Sequence, residues 1–126
     1  MRWLQRIWAG LPRWREPAWR VEASDRTLRL YGDEQLEREF AWGEVRRIET
    51  FKLDLFTVDC ICLRFHLHEG KPVTIGEDAT NFVDLIGVLE DHFGVGPHWY
   101  MQVMLPPFET NLQIIWQESE PAAVSR

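Results

Sequence analysis

Four residues on one short stretch, Cys60, Cys62, His66 and His68, are of the types that bind zinc, and they alternate so as to share one face of a strand. Their spacing argues against a single site. At about 3.3 Å per residue, Cys60 and His68 stand roughly 26 Å apart along a straight strand, while zinc ligands lie only about 2.0–2.3 Å from the metal. The sequence therefore reads as metal-free, with these residues on a polar or second-core face, and no cofactor is expected. A Cys60–Cys62 disulfide is disfavoured too, because Cβ atoms two apart on a strand exceed the roughly 3.8 Å that a bridge requires.

Carboxylates are the other reactive groups in number: Asp54, Asp59, Glu77-Asp78 and Glu90-Asp91. Two that face one another can do acid–base work, but nothing in their spacing makes any pair converge. Glu90 and Asp91 are expected on the solvated side of a helix, and Glu77-Asp78 at its positive N-terminal end. No Gly-x-Ser-x-Gly, His-Glu-x-x-His or glycine-rich phosphate loop occurs. Gly94-Val95-Gly96 follows a helical pattern instead of opening one, and so reads as a helix stop. No catalytic residue is assigned, and the chain is read as a non-enzyme.

The elements that would position these groups follow from hydrophobic period. In residues 1–17, Trp3, Leu4, Ile7, Trp8 and Leu11 fall on one arc of about 140° at helical spacing, with Arg2, Gln5 and Arg6 opposite. This predicts an amphipathic helix stopped by Gly10 and Pro12. From Ala18 the period becomes two, predicting strands over Ala18–Ala23, Thr27–Tyr31, Leu36–Ala41, Val45–Lys52 (with a bulge near Arg46-Arg47), Asp59–His68 and Lys71–Ile75. Phe82, Leu85, Ile86, Leu89 and Phe93 then mark a helix packing one face, with Asp78 or Thr80 as its cap and Gly94 as its end. Trp99–Leu105 alternates like a strand, and Leu112–Trp116 reads as a short strand or helical turn. The fold class is α+β: an antiparallel β meander with one amphipathic helix, preceded by the N-terminal amphipathic helix. The domain spans 18–116, and 117–126 lacks periodicity and is expected to be a disordered tail.

Charge is unevenly distributed. Residues 1–20 carry five arginines against Glu16, a net of +4, so the overall −6 leaves −10 for the remainder. An acidic body disfavours nucleic acid and suits a basic protein partner. Two cysteines are too few for a disulfide scaffold, and no apolar run reaches the roughly 18 residues of a membrane span, so a cytoplasmic location is expected.

A resemblance adds to this. Strands followed by one amphipathic helix is the order of pleckstrin-homology-like domains. Trp42-x-x-Val45-x-x-Ile48, Asp54-Leu55-Phe56-Thr57-Val58-Asp59, Glu77-Asp78 and Pro107-Phe108-Glu109-Thr110-Asn111 resemble motifs of a group of small uncharacterised bacterial proteins with such a domain. The resemblance covers about three-fifths of the chain and implies a fold, not an activity. The early hairpin lacks the Lys and Arg cluster that phosphoinositide-binding members use.

Two functional expectations follow. The first is a protein-binding domain whose partner is a basic protein or a second copy of itself, in its sharper form an immunity-type protein that neutralises a basic toxin. The second is a peripheral membrane module in which Arg2 and Arg6 meet anionic lipid while Trp3, Ile7, Trp8 and Leu11 insert. Packing of that apolar arc on folded protein is preferred over lipid, because so short a helix is marginal alone in water. Purified protein should carry no stoichiometric zinc, and a chelator should leave its melting temperature unchanged. One equivalent of metal by elemental analysis would overturn this reading.

Overall fold

Two antiparallel sheets and two helices enclose one main core. The computed structural model describes residues 19–54, 59–105 and 110–119. Strands β1 (Trp19–Ala23), β2 (Thr27–Gly32) and β3 (Gln35–Ala41) form the first sheet in sequence order. A 3-10 turn over Trp42–Glu44 leads into the second sheet, built from β4 (Val45–Asp54), β5 (Asp59–Leu67), β6 (Val73–Gly76) and β7 (Gln113–Gln117) in the order β6-β5-β4-β7. Helix α1 (Phe82–Phe93) and helix α2 (His98–Met104) lie between β6 and β7 in the chain. The α+β class is as the sequence predicts. The antiparallel strands divide at Trp42 into two sheets. The N-terminal helix predicted for residues 1–17 lies outside the described residues.

Local sequence explains most of the strand ends. Asp33 and Glu34, with φ of 52° and 66°, make the two-residue turn between β2 and β3, and positive φ at both positions matches the right-handed twist of a hairpin. The predicted irregularity near Arg46-Arg47 is present as a register shift between Val45 and Arg47. Gly94, at φ 70°, ends α1: its N–H donates to Glu90 O, and the N–H of Val95 donates to Leu89 O.

Three expectations are corrected. Trp99–Leu105 is not a strand, since His98–Met104 is helical. Trp99 and Val103 sit four apart and both enter the core, a spacing that a short apolar run shares with alternation. Neither Asp78 nor Thr80 caps α1. The N-cap is Asn81 in the left-handed conformation (φ 69°) with no side-chain cap bond. The Thr80 backbone is engaged elsewhere: its N–H donates to Trp19 O and its carbonyl accepts from Val21 N, in a parallel bridge that covers part of the β1 edge. Finally, β7 extends to Gln117, one residue beyond the bound read from sequence, and Glu118 N donates to Arg46 O.

The main core gathers Val21 and Leu28 from the first sheet, Ile48, Leu63, Phe65 and Ile75 from the second, and Phe82, Leu85 and Leu89 from α1. Ile61, Leu63 and Phe65 of β5 point into it as their alternation predicts, while Ile86 is only partly buried. At its centre Trp42 is 1% exposed; it meets Phe40 edge-on at 5.7 Å and Phe93 edge-on at 5.8 Å, and donates its indole N–H to Ser24 O at 2.8 Å. Among the described residues no helix is long and apolar enough to cross a membrane.

Leu63→Ala and Leu89→Ala, both at fully buried positions, should each lower unfolding free energy by about 2–5 kcal/mol in urea titrations. Ile86→Ala should cost less than either.

Candidate binding surface

The outward face of β4 and β5 holds the residues that first suggested chemistry. Cys60 and Cys62 lie buried there beside Phe51, forming a small second core. Hydrogen bonding with Cys60, followed by burial, pushes the Cys62 thiol above its ordinary pKa. His66 Nε2 lies 2.6 Å from Glu49 Oε1, and His68 Nε2 lies 2.7 Å from Glu118 Oε2. Cysteines and histidines are thus separated into two environments. Among the described residues no three His, Cys, Asp or Glu side chains are placed to hold a metal ion.

Glu49 was not singled out by sequence. It is a buried carboxylate with His66, the Arg47 Nε at 3.5 Å and the Arg64 Nη1 at 3.6 Å around it. Burial is the largest single influence on its pKa and acts upward. The His66 hydrogen bond and the charges of His66, Arg47 and Arg64 together outweigh burial and hold the carboxyl below its ordinary value. The sequence signal for this cluster was present in the period-two spacing of Arg47 and Glu49 with Arg64 and His66, but the cross-strand register that brings the two pairs together was not.

Of the acidic residues, Asp54 and Asp59 are register partners at one end of β4 and β5. Glu90 and Asp91 are exposed on α1, as expected. Glu77 departs from its expected place at the helix N-terminus. Its Oε2 accepts from Ile61 N at 2.7 Å and its Oε1 accepts from the Tyr100 hydroxyl at 2.6 Å, so it ties α2 to the end of the β5–β6 pair. The bond to Glu77, aided by burial, raises the Tyr100 pKa to about 12. Lys52, 1% exposed, donates from Nζ to Met104 O at 2.6 Å and lies 3.6 Å from Asp59 Oδ2, placing its charge at the negative end of α2. Both groups are structural ties.

The more distinctive surface is the corner where the two sheets fail to close. β3 pairs only with β2, and β6 only with β5, among the described strands. Between them lies a mainly apolar cleft of about 80 Å³, lined by Trp19, Leu30, Arg38, Val73, Ile75 and Ala79. Arg38, one of its lining residues, donates from Nη2 to Lys71 O at 2.8 Å. Ligand pockets for metabolites run to about 300–1,000 Å³, so this cleft suits a side chain or two and not a cofactor. Wider depressions of about 450 and 480 Å³ lie beside α1, but each is open surface. The residues proposed from sequence for partner or lipid contact, Arg2, Trp3, Arg6, Ile7, Trp8 and Leu11, lie outside the described residues.

No family model, curated protein or solved structure matches this chain.

Because the folded state binds the Glu49 proton less tightly than the unfolded chain, its contribution to stability is fully present above the unfolded glutamate pKa of about 4.3. It is lost as pH falls through the lowered folded value. Glu49→Gln should therefore destabilise the protein at pH 7 by about 1–3 kcal/mol. In urea titrations the gap from wild type should narrow progressively below about pH 4.

Proposed function

We propose that this protein is a non-enzymatic protein-binding domain that receives an extended segment of a basic partner at the corner between β3 and β6. One observation carries the reading: an apolar cleft flanked by two strand edges, each without a described partner on its outer side. An added strand can hydrogen-bond to such an edge through its main chain while alternate side chains enter the cleft. The net charge of −10 beyond residue 20 favours a basic segment, and salt-sensitive association is the corollary. An immunity-type protein that neutralises a basic toxin domain is the specific form of this reading. The pleckstrin-homology-like relationship is likewise proposed. It is supported by two antiparallel sheets with an amphipathic helix packed on their shared core, although a second helix and β7 follow that helix here.

Selection of displayed random peptides against the intact protein should enrich basic, β-forming sequences whose affinity falls as salt rises. Their binding should shift the amide resonances of β3 and β6. Ala79→Met, which fills the cleft, should weaken binding by about tenfold or more, since the side-chain anchor has nowhere to enter. Enrichment of no such peptide, or equal binding by the filled variant, would reject the proposal.

A further inference from the structure

The outward face of an antiparallel sheet is ordinarily its solvated face, yet part of this one is dry. Phe51 is 3% exposed, Cys60 4% and Cys62 0%, although all three point away from the main core. Neighbours within the sheet do not produce such values alone, because side chains stand perpendicular to the sheet and leave their tips open unless a further layer lies above them. Arg64 contributes some cover, its guanidinium 4.5 Å from the centre of the Phe51 ring. Beyond that, only Trp19 and Leu53 among the described hydrophobic residues pack on the cluster. Leu53 belongs to the same sheet. Both helices place their buried residues in the main core, on the opposite side.

We propose that residues 1–17 of the same chain form the missing layer, laying the apolar arc of Trp3, Ile7, Trp8 and Leu11 over Phe51, Cys60 and Cys62. Continuity of the chain supports this occupant. Trp19, the first described residue, is seated against Gly32, where a Cβ would come within 3.0 Å of its ring, and the same indole packs on the Cys60–Cys62 cluster. Trp19 packs on the main core as well, so the chain enters the first sheet at the border between that core and this face. Composition points the same way. Residues 55–58 adjoin the Cys60 end of the cluster but are four residues long, and the Phe51–Cys62 pair lies three residue pairs away, roughly 10 Å along the strands. Residues 120–126 follow the far end of β7, near Arg47, and hold a single large aliphatic side chain, Val124. Residues 106–109, which precede Thr110 beside Lys52, are only four long and hold one aromatic, Phe108, whereas residues 1–17 supply the longest apolar arc of the segments that border this face. Ten helical residues extend about 15 Å, more than the cluster's length along the strands. The +4 charge of residues 1–20 on an otherwise acidic chain favours the same contact.

The two outward cysteines are the only cysteines in the chain, so their reactivity reports the cover directly. In the intact protein, without denaturant, both thiols should react slowly with a thiol-specific disulfide reagent. In the full-length Ile7→Asp, Trp8→Asp variant they should react about tenfold faster or more, as expected for lost local protection. Far-UV circular dichroism should show the sheets retained. Val83→Asp, at an exposed site on α1, is the control and should change nothing. Fast reaction in the intact protein, or unchanged reaction in a folded double variant, overturns the proposal. Should the double variant unfold, nuclear Overhauser contacts in the unaltered protein decide. Contacts from the Trp3 or Trp8 indoles to Phe51 within one chain support it. Contacts elsewhere, none at all, or contacts only between differently labelled copies overturn it.

Discussion

Trp42 occupies the position on which the two sheets depend. It follows β3 directly and precedes β4, so its ring sits where the chain passes from one sheet to the other. The ring meets Phe40 on one side, Phe65 of the second sheet at 6.1 Å and Phe93 at the end of α1. Burying so large an indole is favourable only if its N–H finds an acceptor, and Ser24 O in the β1–β2 turn supplies it. One side chain therefore fixes three elements, and it does so with apolar contact and a satisfied polar group together. The Trp42 main-chain N–H, which donates to Arg26 O, ties the same corner to the same turn.

At the other end of the core the ties are polar. Lys52 is buried and Glu77 half-buried, and burying such polar groups is costly unless they are paired. Lys52 meets the last carbonyl of α2 and the Asp59 carboxylate; Glu77 meets a β5 amide and the Tyr100 hydroxyl. Asn111, with φ 48°, donates to Gln102 O and Leu105 O and so satisfies two further carbonyls at the end of α2. A seven-residue helix has little stability of its own. Its place is set by these bonds and by the burial of Trp99 and Val103.

The second sheet carries two different outward surfaces side by side. Around Glu49 charges neutralise one another across β4 and β5, and around Cys62 apolar groups exclude water. Such a division fits a sheet that meets solvent at one end and a further layer of protein at the other. At the open β3–β6 corner, Arg38 meets the Lys71 carbonyl through its side chain, and no main-chain pairing joins the two strands.

The sequence by itself determined the elements whose period was long and unambiguous: α1 with its Gly94 stop, the alternating β5 and the β4 bulge. These are local properties, set by which side of a repeating backbone each side chain occupies and by the few residues that tolerate special φ values. It also showed that Cys60, Cys62, His66 and His68 share a face too extended for one metal. Only the tertiary structure decided that the meander divides at Trp42, because alternation is the same whether successive strands continue one sheet or begin another. Helix α2 was misread for a related reason: over seven residues, Trp99 and Val103 satisfy a strand period and a helix period alike, and burial against β4 and β5 chose between them. The roles of Glu49, Lys52 and Glu77 were illegible in sequence because each depends on a partner between 16 and 52 residues away, brought close by register and docking. The open corner is a still less local fact, since an unpaired edge is defined by the strand that does not arrive.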